Sequence, residues 1–222
     1  MFLFYGPRIL LLAAVLPAIY LLIKVYQLDR MEREPVDLIV KLVIYGMIAT
    51  ALAALIEDAL MDKATSNFVA YFGVVGCTEE GLKYLFVNHG TWKSREFNCL
   101  FDGIVYCISV SLGFALMENI LYVFNYGLSV AWVRAITAIP GHACFGIFMG
   151  VWYGMAKKAQ DRAQYGRSTL YRIMAFIIPV LIHGTYDYLA TSDNYWFFLF
   201  IVLLFFVSYR LVIHQSNNDQ YI

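Results

Sequence analysis

The sequence predicts an all-α, polytopic membrane protein with about seven transmembrane helices. The chain of 222 residues is 61% hydrophobic and 14% charged, whereas soluble domains average about 45–50% apolar and about 25% charged residues. Its apolar residues fall into runs close to the roughly 20 residues that a helix needs to cross a bilayer. Lysine plus arginine equals aspartate plus glutamate, at 16 each. Net charge therefore gives no reason to expect a nucleic-acid partner, and the lipid bilayer is the partner that composition predicts.

Polar or charged loops separate the seven predicted spans. The spans cover residues 8–26, 36–60, 66–87, 100–124, 131–156, 170–190 and 195–213. We expect a single domain over residues 1–222, with a loose polar tail at 214–222. The first apolar run is long and no small-residue cleavage pattern follows it, so we interpret it as a retained span and not as a signal peptide.

The charges in the loops predict the orientation. With the N-terminus outside, most loop lysines and arginines fall on the inner side: Arg30, Arg33, Lys93, Arg95, Lys157, Lys158, Arg162, Arg167, Arg172 and Arg210. Because positively charged loops are retained in the cytoplasm, we expect the N-terminus outside the cell and the C-terminus inside.

The third span carries three charged residues, Glu79, Glu80 and Lys83, near its middle. A charged side chain at the bilayer centre costs roughly 2.5–3.5 kcal/mol, so such residues usually face a functional site inside the protein. A structural alternative is an ion pair that fixes helix packing, since Glu79 and Lys83 are four residues apart on one helix face. That alternative leaves Glu80 unexplained.

The next three spans each contribute further polar groups. They are Glu118 and Asn119 in the fourth, His142 in the fifth, and His183 and Asp187 in the sixth. Each has a structural explanation when taken alone, such as a hydrogen bond between helices or a position near the interface. All of them facing lipid would cost roughly 10 kcal/mol or more. We therefore expect one polar pocket between the third and sixth helices, open toward the outer face. For Asp102 and Arg134 we expect structural or interfacial roles.

This set of residue types suits metal-assisted hydrolysis. Imidazoles and carboxylates bind zinc in catalytic sites that keep one position open for water, and a nearby carboxylate can act as the general base. The sequence has no GxSxG motif, so no serine nucleophile competes with this interpretation.

Four motifs, in order on successive spans, resemble the PrsW family of intramembrane proteases. They are Glu79-Glu80-x-x-Lys83, Phe114-x-x-x-Glu118-Asn119, His142 with Gly150 eight residues later, and His183-x-x-x-Asp187. The resemblance covers roughly residues 68–190. More distantly, the chain resembles the superfamily of CAAX prenyl proteases and bacteriocin-processing enzymes.

The resemblance implies a bacterial membrane endopeptidase that cuts a single-span membrane protein. In that group the substrate is an anti-sigma factor, and its first, extracytoplasmic cut starts envelope-stress signalling. The resemblance also implies catalytic helices over about residues 66–190, with Glu79, Glu80, His142 and His183 at catalytic positions. It leaves open whether the site uses a divalent metal or a glutamate and histidines alone.

Within this framework we assign Glu79 as the general base and Glu80 as an orienting group, although pairing with Lys83 could reverse the two. We predict a divalent metal, with zinc as the first candidate, bound by Glu118, His142 and His183. Asp187 would be a further ligand or a partner of a metal-bound histidine, and Lys83 and Asn119 would have supporting roles. The rival hypothesis is a transporter or channel that uses buried carboxylates and histidines to bind protons or ions.

Overall fold

The computed structural model describes residues 6–191 and 195–222 of the chain as a bundle of helices. These are α1 (Pro7–Leu28), α2 (Val36–Met61), a π-helical segment (Val69–Gly76), α3 (Cys77–Thr91), α4 (Asp102–Tyr126), α5 (Leu128–Ile136), α6 (Ala138–Asp161), α7 (Tyr165–Ala190) and α8 (Trp196–Asn217). The prediction of an all-α protein is confirmed. Residues 1–5 and 192–194, which belong to the predicted single domain, lie outside the described residues.

Six helical segments of the described chain are long and apolar enough to cross a membrane. They are Pro7–Leu28, Val36–Met61, Asp102–Tyr126, Leu128–Asp161, Tyr165–Ala190 and Trp196–Asn217. The remaining predicted span corresponds to the π-helical segment followed by α3, whose three charged residues lower its hydropathy. The prediction of a polytopic membrane protein is confirmed.

The fifth predicted span, 131–156, is divided between two helices that meet at Thr137. Thr137 leaves helical geometry, with φ −120° and ψ −71°, and α6 begins at the next residue. Pro140 lies in the first turn of α6, where its missing N–H is tolerated. In a continuous helix, the residue at position 140 would donate its backbone N–H to the carbonyl of Ile136. Proline cannot make this bond, because it has no backbone N–H. Proline therefore accounts for a helix break that places α5 as a separate nine-residue helix.

Helix α4 is the centre of the bundle, because every residue from Asp102 to Ala115 is buried. Close packing with α6 depends on glycine: a Cβ at Gly103 would lie 2.8 Å from the carbonyl oxygen of Gly150. The outer faces of α1 and α8 are exposed and apolar, as lipid-facing surfaces are. Examples are Leu12, Leu16, Tyr20, Phe198, Val202 and Phe206.

The tail at residues 214–222 differs from the loose segment that the sequence predicts. Helix α8 continues to Asn217, and the residues after it bond to the loop before α4. The backbone N–H of Leu100 donates to the carbonyl of Gln220 at 3.2 Å, and that of Ile222 donates to the carbonyl of Asn98 at 2.9 Å. These backbone bonds hold the tail against another loop, which sequence composition alone does not reveal.

Candidate active site

A cavity of about 330 Å³ opens at the end of the bundle where α2, α4 and α7 end and α6 begins. Its acidic, basic and histidine lining residues are Glu57, Glu79, Glu118, Arg134, His142, His183 and Asp187. Five of these residues were predicted from the sequence as members of the site: Glu79, Glu118, His142, His183 and Asp187. They come from α3, α4, α6 and α7. Glu80 and Lys83 lie behind the cavity wall, with fully buried side chains.

Lys83 is the centre of the hydrogen-bond network behind the cavity. Its ammonium Nζ lies 3.1 Å from Glu79 Oε2, 2.7 Å from Glu80 Oε1 and 3.1 Å from His142 Nδ1. It also lies 4.1 Å from the centre of the Phe114 ring. A lysine ammonium has three N–H donors, so these three partners account for all of them.

The contact with Lys83 decides the protonation of His142. An ammonium group can only donate, so Nδ1 of His142 accepts and carries no proton. Nε2 then carries the proton and donates to Glu118 Oε2 at 3.0 Å. The only lone pair of this imidazole is therefore already used, and His142 has none left for a metal ion in this arrangement. The role of His142 as a metal ligand therefore stays a prediction, and it would require the bond between Nδ1 and Lys83 to break.

His183 lies between two carboxylates. Its Nδ1 lies 2.9 Å from Glu80 Oε1, and its Nε2 lies 3.4 Å from Asp187 Oδ2. When Nδ1–H donates to Glu80, Nε2 and Asp187 can share either a proton or a metal ion. A carboxylate bonded to the far nitrogen of a ligating histidine is a common arrangement around zinc.

Glu118 is held by a residue for which we expected only a structural or interfacial role. Arg134 Nη2 donates to Glu118 Oε2 at 2.7 Å, and Arg134 Nε donates to Asn119 Oδ1 at 3.0 Å. Asn119 in turn donates to the carbonyl of Ala14 in α1 at 2.8 Å. A lone arginine in an apolar segment was the signal that could have identified Arg134. Its place at the cavity depends on the break before α6.

Aromatic rings, which the motifs did not identify beyond Phe114, shield both imidazoles. Phe145 stacks on His183 with ring centres 4.6 Å apart, and Phe114 lies 5.6 Å from His142. The two imidazole rings are 5.4 Å apart, centre to centre. Because these rings exclude water, the charges behind them interact more strongly than they would in solvent.

The compact group of ligand atoms near the cavity differs from the predicted set of Glu118, His142, His183 and Asp187. Within the described ranges, Glu79 and His183 of the cavity wall and Glu80 behind it bring one ligand atom each within 4.8 Å of the others. Lys83 bonds to both of these glutamates. The ammonium group therefore already supplies the positive charge that holds this group together.

The remaining donors fit a divalent metal. Five carboxylates lie at or behind the cavity, those of Glu57, Glu79, Glu80, Glu118 and Asp187, against two basic side chains, Lys83 and Arg134. A divalent cation would reduce this excess of carboxylates. Nε2 of His183 and the carboxylate of Asp187 are adjacent and face the cavity, so they are the donors best placed to bind it.

Known proteins match this chain over most of its length. The family described as "PrsW family intramembrane metalloprotease" matches residues 34–212. Protease PrsW of Bacillus subtilis (strain 168) is 32% identical over 197 residues, which cover 88% of each chain. Protease PrsW of Oceanobacillus iheyensis is 34% identical over 215 residues, covering 94% of this chain and 97% of the relative.

A third relative, Protease PrsW of Clostridioides difficile (strain 630), is 29% identical over 220 residues and 89% of its own length. No solved structure matches the chain significantly. The family match extends over most of the chain and includes every helix that lines the cavity. The chain is therefore a multi-pass bacterial membrane protease that belongs to the PrsW family of intramembrane metalloproteases.

Proposed function

We propose that this protease hydrolyses a peptide bond of a single-span membrane protein in the cavity at the end of α4. The observation that carries the proposal is the convergence of Glu79, Glu118, His142, His183 and Asp187 on one cavity of about 330 Å³. Four helices contribute these side chains, and intramembrane ionisable residues mark functional sites.

Glu79 is the general base in this proposal. Its side chain lines the cavity and is 8% exposed, whereas that of Glu80 is 0% exposed. Lys83 donates to Glu79 Oε2 and so orients the carboxylate. From this position Glu79 can take a proton from a water molecule in the cavity and later return it to the leaving amine.

Glu80 and Glu118 hold the two imidazoles. Glu80 accepts from Nδ1 of His183, and Glu118 accepts from Nε2 of His142. Arg134 neutralises Glu118 and restrains it from the other side. These bonds fix both rings at the cavity wall, which is the preorganisation that a hydrolytic site requires.

His183 and Asp187 would hold a divalent metal, together with Glu118, which also lines the cavity. Zinc is the first candidate, because its catalytic sites combine histidine with carboxylate ligands and keep a position for water. Such an ion would supply a Lewis acid for the scissile carbonyl and would make water more acidic.

The substrate we propose is an anti-sigma factor with one membrane span, cut first on its extracytoplasmic side in envelope-stress signalling. This follows from the resemblance of the four motifs to the family and from the loop charges. With the N-terminus outside and the C-terminus in the cytoplasm, the cavity at the ends of α2, α4 and α7 faces outward.

Co-expression with candidate single-span proteins tests the proposal. We expect the wild-type protein to produce a shortened substrate of defined size and Glu79→Gln to leave the substrate intact. Asp37→Asn, which changes an exposed carboxylate at the start of α2, is the control and should cleave normally. Cleavage that is undiminished in Glu79→Gln would contradict the role of this carboxylate.

The metal content of the purified protein distinguishes metal-dependent hydrolysis from hydrolysis by a glutamate and histidines alone. We expect purified wild-type protein to contain zinc and Asp187→Asn to contain much less. Ortho-phenanthroline should abolish cleavage until zinc is restored. Full cleavage by protein that elemental analysis finds free of metal would reject the metal while leaving the protease assignment in place.

A further inference from the structure

A second group of buried carboxylates lies at the opposite end of α4. Asp29 and Glu34 come from the loop between α1 and α2, and Asp102 is the first residue of α4. Their residues are only 1%, 4% and 1% exposed, respectively. One carboxylate oxygen of each lies within 4.8 Å of the other two. Asp102 precedes Glu118 by 16 positions, so this group is about 24 Å along α4 from the cavity.

Four oxygens of this group are buried without a hydrogen-bond partner. They are both carboxylate oxygens of Asp29, Oε2 of Glu34 and Oδ1 of Asp102. The backbone N–H of Glu34 approaches Asp29, and the side chains of Tyr106 and Asp102 approach the Glu34 carboxylate, but none of these contacts gives the four oxygens a hydrogen bond of good geometry. Buried carboxylate oxygens without a partner destabilise a folded protein, so this arrangement points to a positively charged ligand.

The protein itself supplies no such ligand within its described part. Across residues 6–191 and 195–222, no lysine or arginine nitrogen lies within 4.0 Å of these carboxylates. Arg30, in the same loop, is exposed and donates to Asn217 at 2.8 Å. Arg33 is also exposed and lies over the ring of Tyr26, 5.9 Å from its centre. Asp219 of the tail brings a further carboxylate near Asp29.

Protons are the alternative way to neutralise the group. Burial raises the pKa of Asp29 to about 6 and that of Glu34 to about 9. A proton shared by two carboxylates, however, satisfies only that pair of oxygens, whereas one cation can bind all three residues at once. Oxygen atoms are the ligands that Ca²⁺ and Mg²⁺ prefer.

We propose that Asp29, Glu34 and Asp102 bind one hard divalent cation, Ca²⁺ or Mg²⁺. The ion joins the α1–α2 loop to the start of α4. The tail lies against the same place, because Asp219 Oδ1 accepts from the backbone N–H of Phe101 at 2.9 Å. Asp102 has a second role, since its Oδ2 accepts from the backbone N–H groups of Asn98 and Cys99. It is therefore left unchanged in the test.

Thermal unfolding of the purified full-length protein tests this site. After chelation and removal of the chelator, Ca²⁺ or Mg²⁺ at about 100 times its dissociation constant should raise the Tm by about 5 °C or more. The double variant Asp29→Asn, Glu34→Gln should lose this rise. Glu32→Gln, which changes an exposed carboxylate of the same loop, should keep it, and so should His183→Ala. A Tm of the wild type that neither cation changes, or a rise that the double variant retains, would overturn the proposal.

Terbium provides a measurement that does not depend on the double variant folding. Tyr26 donates to the carbonyl of Glu34 at 3.1 Å, and Tyr106 lies beside the Glu34 carboxylate. Tb³⁺ bound by the group should therefore emit when the tyrosines are excited, and added Ca²⁺ should displace it. We expect Glu34→Gln to weaken Tb³⁺ binding at least tenfold. Emission that is absent, or that is equally strong in Glu34→Gln and the wild type, would reject the cation site.

Discussion

A single lysine connects both glutamates of the third span to a histidine 59 positions later in the chain. Lys83 is fully buried, and its three donors all reach acceptors of the candidate active site. At the scale of the residue, this explains why a cation in a membrane span is tolerated: two carboxylates neutralise it and an aromatic face covers it.

Removing this ammonium should therefore destabilise the protein strongly. We expect Lys83→Met to lower the free energy of unfolding by about 3–5 kcal/mol, because the change leaves two buried carboxylates without their counter-ion. Lys157→Met is the matched control. Lys157 also pairs with a carboxylate four residues later, Asp161, but that pair is partly exposed, so its loss should cost at most about 1 kcal/mol. Denaturation in detergent measures both, and equal effects would contradict the central role of Lys83.

The two adjacent glutamates should respond differently to the same substitution. Glu79→Gln should reduce cleavage about 100-fold or more and lower the Tm less than Glu80→Gln does, because the Glu79 side chain lines the cavity whereas that of Glu80 is fully buried. Glu80→Gln should lower both cleavage and the Tm, since its carboxylate bonds to Lys83 and His183 in the buried interior. Parallel cleavage and unfolding assays distinguish the two. Full cleavage in Glu79→Gln with none in Glu80→Gln would reverse the assignment.

At the scale of the helices, sequence patterns predicted contacts between side chains of the same helix. They missed contacts between side chains that depend on a break in a helix. The pairing of Glu79 with Lys83 and the contact of His183 with Asp187 follow from a spacing of four residues. The contact of Arg134 with Glu118 does not, because it requires α5 and α6 to separate at Thr137. The convergence of Asp29, Glu34 and Asp102 was also beyond sequence patterns, since the α1–α2 loop and the start of α4 are distant in the chain.

The close approach of α4 and α6 leads to a testable prediction at this scale. A Cβ at Gly150 would lie 2.6 Å from the carbonyl oxygen of Gly103 and would also collide with the backbone of Ile104. Backbone atoms of a packed helix cannot move aside locally, so Gly150→Ala should destabilise the protein by about 1–3 kcal/mol. Gly166→Ala is the control, because a Cβ there meets nothing within 4 Å. If both variants unfold at the temperature of the wild type, α4 and α6 pack less tightly than described.

For the whole molecule, the orientation in the membrane decides which side of a substrate reaches the cavity. The positive loop charges predict that the α6–α7 turn is cytoplasmic and that the loop after α2 is outside. In a variant with Cys77, the exposed cysteine, replaced by serine, an impermeant maleimide should label Lys63→Cys in intact cells. It should label Gly166→Cys only after the membrane is opened. The opposite labelling pattern would reverse the topology and place the cavity on the cytoplasmic side.

The burial of Lys83 also has a consequence for the chemistry of its amine. An ammonium with no exposed surface and three bonded acceptors is closed to acylating reagents as long as the helices remain packed. Unfolding would open it, so the mass of the peptide that contains Lys83 would record the folded fraction of a sample. A preparation in any detergent or lipid could thus be judged by acylation at one position, without a substrate.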